Sequence, residues 1–437
     1  MALSSKIRRE AMREVAKTVR LIAVAPPPKP KRGFWRDYVF NSQNFFSTVS
    51  IFGLIAIIVF SPGNIEIFDP LKYALSDFEF KDIDFARYSE DYPVDQDIVL
   101  VNIGRNRVEI ASQIKTIAAM QPKVVGVDVL FASEKEADMD LPLIDALAST
   151  RTVVLNCKLD GWRDDTTKPM YKEARVPHEK FRLQHITYGH DALIPDLKNR
   201  ELQTVRVFQP APAYKDTTIN AFALEIAERY KPGLAKQMIA RENDQEIINF
   251  KGNYNKFVLL DIEPEMPIDT AIAQYGTLIR DKIVILTYMG QPFDNPNDIR
   301  GKLYTPATTQ YIGKSAPDMY TGVIHANIVS MLIHDQMIEK MPKWLEFVIA
   351  VIICYFNMAL FHWITVKFPS FAGGEMKVIQ LFQSGLVTLA AMYAFYLINY
   401  SFSTGLMLAV ILLASDVLEI HESSVKRMLD RIKETQR

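Results

Sequence analysis

Four stretches of this chain are long and apolar enough to meet a membrane, and they frame a single polar region of nearly 300 residues. The first, Phe45 to Phe60, reads FFSTVSIFGLIAIIVF without a charge. Three more follow near 344–366, 379–398 and 403–420. A hydrocarbon core of about 30 Å takes roughly 20 helical residues, so these windows predict four transmembrane α-helices. Asp416 and Glu419 fall in the final turns of the last window, where they meet headgroups or face other helices.

The flanks set the orientation. Residues 1–38 carry ten Lys and Arg against three acids, and residues 422–437 carry five against three. Positive flanks stay in the cytoplasm, so both termini are expected there and the polar region outside. The first window has 44 residues before it and no small-x-small site after it, which predicts an uncleaved anchor. Within residues 7–22, Ile7, Ala11, Val15, Val19 and Ile22 recur at helical spacing among basic residues, as in a helix lying on an anionic surface. Pro26-Pro27-Pro28-Lys29-Pro30 then makes a stiff linker. The expected segments are 1–44 cytoplasmic, 45–61 membrane, 62–342 exported domain, 343–420 three membrane helices and 421–437 cytoplasmic tail.

Inside 62–342, short apolar runs alternate with stretches of helical period. Strands are expected at 98–103, 123–131, 152–158, 204–208, 246–250 and 282–287, with helices at 106–120, 141–149 and 219–231. Strands separated by helices predict a mixed α/β domain with a mainly parallel sheet and flanking helices. Residues 159–183 hold 11 charges in 25 and read as an excursion from the core. Cys157 and Cys354, the only cysteines, lie in regions of different character, which argues against a disulfide or a cysteine metal site. With a net charge of −1 and no domain-wide basic excess, nucleic acid is not an expected partner.

The order of segments resembles the type 2 CHASE domain, an extracytoplasmic sensory module of bacterial receptors. IVLVNI (98–103) is similar to its opening strand, though Asn102 stands where the family usually has aspartate. PKVVGVDVLF (122–131) centres on Asp128, and YGHDALIPDLKNRELQTVRVF (188–208) ends in Val205-Arg206. RDKIVILTYMG (280–290) is followed by Asp294 and Thr305-Pro306, and TGVIHANIVSMLI (321–333) precedes the membrane helices. The resemblance spans roughly 65–345. It implies a periplasmic binding domain on a bacterial inner-membrane protein. Family members usually continue into an output domain. The 16 residues after the last window are too few for one, so a sensory or scaffolding role beside other membrane or periplasmic subunits is expected, with a stand-alone small-molecule receptor signalling through a separate effector chain as the alternative.

Parallel sheets take ligands at the carboxyl ends of their strands. Those ends collect Asn102, Gly104, Asp128, Phe131, Thr287, Tyr288 and Asp294; of these, Asn102, Asp128, Thr287, Tyr288 and Asp294 are the candidate contacts for a small ligand. Asp128 lies in an apolar strand and needs a partner, most simply a structural one. His325 and Asn327 are candidates for passing a signal toward the membrane, with structural hydrogen bonding the simpler role. His178, His185 and His190 are spaced by 7 and 5, which matches no common zinc pattern, so no metal is expected. The chain has no G-x-S-x-G, Walker A, G-x-G-x-x-G or H-E-x-x-H motif, and neither a cofactor nor catalysis is expected. An enzyme of envelope lipid or glycan, using Asp128 and His325 as acid and base, would need both in one pocket.

Overall fold

The computed structural model describes residues 35–60, 92–163, 170–191, 193, 204–295, 298–307, 317–368 and 374–435. The amphipathic stretch 7–22, the proline linker and residues 194–203 of the stretch 188–208 lie outside these. The chain separates into two units, one helical and one α/β.

The helical unit opens with α1 (Ser42–Phe60). The α/β unit then runs β1 (Asp95–Asn102), α2 (Arg107–Ala119), β2 (Val124–Val127), α3 (Ala137–Ala148), β3 (Val153–Arg163), β4 (Met170–Arg175) and β5 (Ile186–His190). It continues through α4 (Phe222–Tyr230), α5 (Leu234–Ala240), β6 (Phe257–Leu260), α6 (Ile268–Ile279), β7 (Ile283–Thr287) and α7 (Thr321–Ile333). Three long helices follow, α8 (Lys343–Lys367), α9 (Gly374–Ile398) and α10 (Gly405–Thr435).

The sheet order β6-β1-β7-β2-β3-β5 is parallel throughout. Alternate residues of β1 serve opposite cores, as the period of two in a strand demands. Ile98 and Leu100 join α4, α5 and α7 on one face, while Val99 and Val101 join α2, α3 and α6 on the other. A sheet covered on both faces needs apolar residues at nearly every strand position, which is why IVLV and IVIL read as unbroken runs. Gly189 in β5 lets α4 approach, since a Cβ there would sit 2.6 Å from the Cα of Phe222.

Several elements differ from the sequence reading. The second strand ends at Val127 rather than 131, and the chain bends at Val129 on its way to α3. The stretches 204–208 and 246–250 do not enter the sheet. Only Val207–Phe208 and Glu246–Ile247 pair, antiparallel to each other. Their apolar residues Phe208, Ile248 and Phe250 nevertheless fill the core, so the hydrophobicity that suggests strands is loop packing. The charged excursion is an antiparallel hairpin of the outer half of β3 with β4, from Lys158↔Arg175 to Arg163↔Met170. Edge strand β6, only FVLL, and helix α6 are absent from the sequence reading.

In the helical unit, α1, α8 and α10 share a core around Ile51, Cys354, Phe361, Val410 and Ala414. Among the described residues, α8 and α9 are the two helices long and apolar enough to cross a membrane. The first window is a shorter apolar stretch, Ser42–Ile57. The last is not a separate span and tail but one 31-residue helix, α10, which runs on into charged sequence. Lys377 of α9 pairs with Asp416, so that carboxylate faces a neighbouring helix. Gln380 of α9 donates to the carbonyls of Ile411 (2.7 Å) and Leu412 (3.2 Å), and Gln383 donates to Asn357 Oδ1 at 2.8 Å. Polar bridges of this kind hold helices together where apolar burial gives little preference.

The connection after α9 has structure the sequence does not suggest. Tyr400–Ser401 pairs in parallel with Glu339–Lys340, just ahead of α8. Glu339 N–H donates to Asn399 O at 2.8 Å and Met341 N–H to Ser401 O at 2.9 Å.

Candidate functional site

The strand register lines polar residues along one edge. Leu286 pairs with Val127 and Val127 with Leu155, so the next residues outward are Thr287, Asp128 and Asn156. The Asp128 carboxylate accepts hydrogen bonds from Asn156 Nδ2 (2.6 Å), Thr287 Oγ1 (2.8 Å) and Thr321 Oγ1 (3.3 Å). Thr321 is the first residue of α7, so one carboxylate joins three strands and a helix start. None of these donors is charged. Burial therefore dominates and pushes Asp128 up to about 6, against the pull of the three donors.

Nearby groups share that environment. Asp191 is also pushed up to about 6, by burial and then by the Asp128 charge. His325 in α7 is 1% exposed, and its ring meets Phe222 edge-on with centroids 5.1 Å apart. Among the described residues neither ring nitrogen has a hydrogen-bond partner, which corrects the expectation of a hydrogen-bonded histidine. Burial holds this imidazole down at about 4 and His190 at about 3. Both rings are neutral at physiological pH.

A pH signature follows. An aspartate is ionised above about pH 4 when unfolded, yet folded Asp128 keeps its proton until about 6. The folded state binds the extra proton between those values, so this group's contribution falls as pH rises from 4 to 6 and stays low above. We expect Asp128→Asn to remove up to about 2–3 kcal/mol of that decline. Urea unfolding of both forms at pH 4.5 and 7.5 measures it, and parallel profiles for the two proteins would refute the assignment.

The other candidates are satisfied within the fold. Asn102 donates to Gly290 O and accepts from Met289 N–H, both at 2.9 Å, tying β1 to the turn after β7. The Tyr288 hydroxyl donates to Asp298, whose carboxyl Arg300 holds well below the usual range. Asp294 accepts from the Tyr254 hydroxyl at 2.6 Å and lies 3.5 Å from Lys302 Nζ. Asn327 accepts from Lys251 N–H at 2.7 Å and donates to Gly252 O and Val323 O, both at 2.9 Å, so it anchors the segment before β6. The three loop histidines do not converge. His178 faces Glu134 at 3.3 Å, His185 meets Leu147 O at 3.1 Å, and His190 is buried in β5.

Beside this row lies an open cleft of about 460 Å³. Its walls come from the end of β1 (Asn102, Gly104, Arg105), the loop after β6 and the turn after β7. This is where a parallel sheet is expected to bind. The chain leaving β1 enters α2 on one face, and the chain leaving β7 reaches α7 on the other, which opens a crevice between them. Asn102 is the one candidate contact that lines it. Gln113, missed in the sequence, is its hub. Only 2% exposed, it donates to the carbonyls of Asn102 (3.0 Å) and Ile262 (2.8 Å) and accepts from Gly104 N–H (2.8 Å). The signal for it was a glutamine within the apolar stripe Ile110, Ile114, Ile117.

At the opposite end of the sheet, donor atoms of Asp95, Asp97 and His334 lie within 4.8 Å of one another. Lys251 Nζ reaches Asp95 at 3.1 Å and Lys282 Nζ reaches Asp97 at 2.7 Å. The two ammonium groups already supply the positive charge there, so the cluster is an ion-pair network and not a metal centre.

A family model, described as the CHASE2 domain, matches residues 51–360. No curated protein and no solved structure matches this chain. The family match covers the parallel sheet, the cleft at its carboxyl edge and the buried helix leading to α8. The chain belongs to the CHASE2 family of extracytoplasmic sensory domains.

Proposed function

We propose that this protein is a non-catalytic membrane-anchored sensory subunit. Its exported domain takes a small ligand in the cleft at the ends of β1, β6 and β7, and its helices work with other membrane or periplasmic subunits. The cleft carries this reading. It is open, lies at the switch point of a parallel sheet, and is framed by backbone that Asn102 and Gln113 hold rigid. Asp128, the best acid on sequence grounds, spends its oxygens on Asn156, Thr287 and Thr321, which suits a structural joint better than proton transfer.

Four crossings of a bacterial inner membrane, with both termini cytoplasmic, are part of the proposal. The pairing of Tyr400–Ser401 with Glu339–Lys340 supports it. The segment before α8 and the one after α9 are side by side, as an out-and-back crossing by α8 and α9 requires. Single cysteines placed at the exposed Ser403 and at Ser423 in a cysteine-free background test this in whole cells. A membrane-impermeant maleimide should label position 403 and spare 423, and labelling of both would overturn the topology.

Gentle detergent extraction followed by mass spectrometry of stoichiometric companions tests the subunit role. A constant membrane or periplasmic companion is expected. Recovery of the chain alone, across several mild detergents, would refute it.

A further inference from the structure

The switch-point crevice of a parallel sheet commonly receives a phosphate, because free backbone N–H groups at a helix start point into it. In this protein four of those donors are taken. Gly104 N–H donates to Gln113 Oε1 at 2.8 Å and Arg105 N–H to Glu109 Oε2 at 2.7 Å. The N–H groups of Val108 and Glu109 both donate to Asn106 Oδ1 at 3.0 Å. Asn106 caps α2, and Glu109 in its first turn reaches back over the loop, donating nothing and placing a carboxylate where an anion would sit. The helix start that would attract a phosphate is thus occupied at four donors by the chain's own side chains and carries a negative charge over it.

The rest of the lining has the opposite preference. Asp261, Glu263 and Glu265 follow β6 along one wall, all exposed, and their carboxylates have no partner among the described residues. Among the described residues of the lining Arg105 is the only cation, against these three acids and Glu109. Between the charges lie apolar surfaces of Pro264 and Pro292, and Phe293 stands 40% exposed at the rim with its ring edge-on to Tyr254. Unpaired carboxylates beside an accessible aromatic face suit an ammonium group on a carbon frame, which the acids attract and the ring accommodates.

We infer that the cleft is specific for small organic cations carrying an amine or quaternary ammonium group, and that it excludes nucleotides and other phosphates. This rests on the reading of the cleft as the ligand site. The acids set the sign of the charge, the occupied helix start weakens the competing anion site, and the volume admits a molecule of modest size.

The test uses the full chain in lipid nanodiscs and isothermal titration with four probes. Putrescine and choline are the cations, inorganic phosphate the anion and glucose the neutral control. Saturable binding of a cation is expected, weakening at least about tenfold in the Glu263→Gln/Glu265→Gln protein and falling as salt is raised. Phe293→Ala should weaken choline more than putrescine. Binding of phosphate with loss in Arg105→Gln, or of glucose with loss in Phe293→Ala, would overturn the cation assignment and leave the cleft as a ligand site. Failure of all four probes would overturn both. The substituted residues are exposed, and an unchanged melting temperature separates lost binding from lost folding.

Discussion

Replacing Asp95 by alanine is expected to destabilise the exported domain by about 3–5 kcal/mol, among the largest losses available to a single substitution here. The Asp95 side chain is 1% exposed. It accepts from Lys251 Nζ (3.1 Å), the Ser330 hydroxyl and Asp97 N–H (3.0 Å), with His334 Nε2 at 3.1 Å. These partners come from the segment before β6, from the end of α7 and from β1, so one carboxylate closes the foot of the sheet. Alanine would strand the Lys251 ammonium, 11% exposed, without a counter-charge. The companion Asp95→Ala/Lys251→Met should recover much of the loss, because removing both charges ends the desolvation cost. Burial pushes Asp95 up, but Ser330, Asp97 N–H and Lys251 together hold it below the usual carboxylate range. Its contribution is therefore complete above about pH 4 and fades as pH falls through the lowered folded value. Chemical unfolding of the full chain, followed by circular dichroism, measures the difference. A loss under about 1 kcal/mol would mean that water replaces the pair at little cost.

The second large effect is expected at Gly322. This residue opens α7 against β7, and a Cβ there would occupy the space of the Thr287 side chain. Alanine already overfills the contact, and valine should cost about 3 kcal/mol or more, since neither the helix nor the central strand can yield without moving a packed layer. The cost extends beyond packing, because Thr287 donates to Asp128, which also holds Thr321. Displacing Thr287 would take one of three donors from a carboxylate that has no counter-ion among the described residues. Thr287→Gly combined with Gly322→Ala should restore part of the stability by making room on the strand side. Purely additive losses in that double-mutant cycle would show that the two residues do not compete for one space.

The legible part of the fold was the part buried on both sides. IVLV, VVGV and IVIL stand out because a covered parallel sheet admits little else, and the helix at 219–231 announced itself by period. What failed was telling a buried loop from a strand. Phe208 and Phe250 enter the core as fully as strand residues do, yet their backbones pair for two residues at most. Edge strand β6 went unnoticed for the converse reason, since FVLL is short and Leu259 is 38% exposed. At the site, Asp128 was readable as a carboxylate in need of a partner. Its partners were not, because Asn156, Thr287 and Thr321 come together only through strand register and the docking of α7. The acidic wall at 261–265 escaped because nothing in its sequence distinguishes a cleft wall from a solvated turn.

The burial of α7 has a consequence for how the protein is made. Every residue from Gly322 to Ile333 is buried, and the helix is apolar enough to stand beside the membrane candidates. On the proposed topology, a chain being exported passes α7 through the translocation channel only nine residues ahead of α8, which stops there as a membrane span. The two differ chiefly in reach. Thirteen residues at about 1.5 Å each extend roughly 20 Å, short of the hydrocarbon thickness, whereas the 25 of α8 exceed it. His325, Asn327 and Ser330 widen the gap, because each is costly in lipid before the domain folds around it. Polar residues that look idle in the finished core thus help the nascent helix to be released as domain and not retained as anchor.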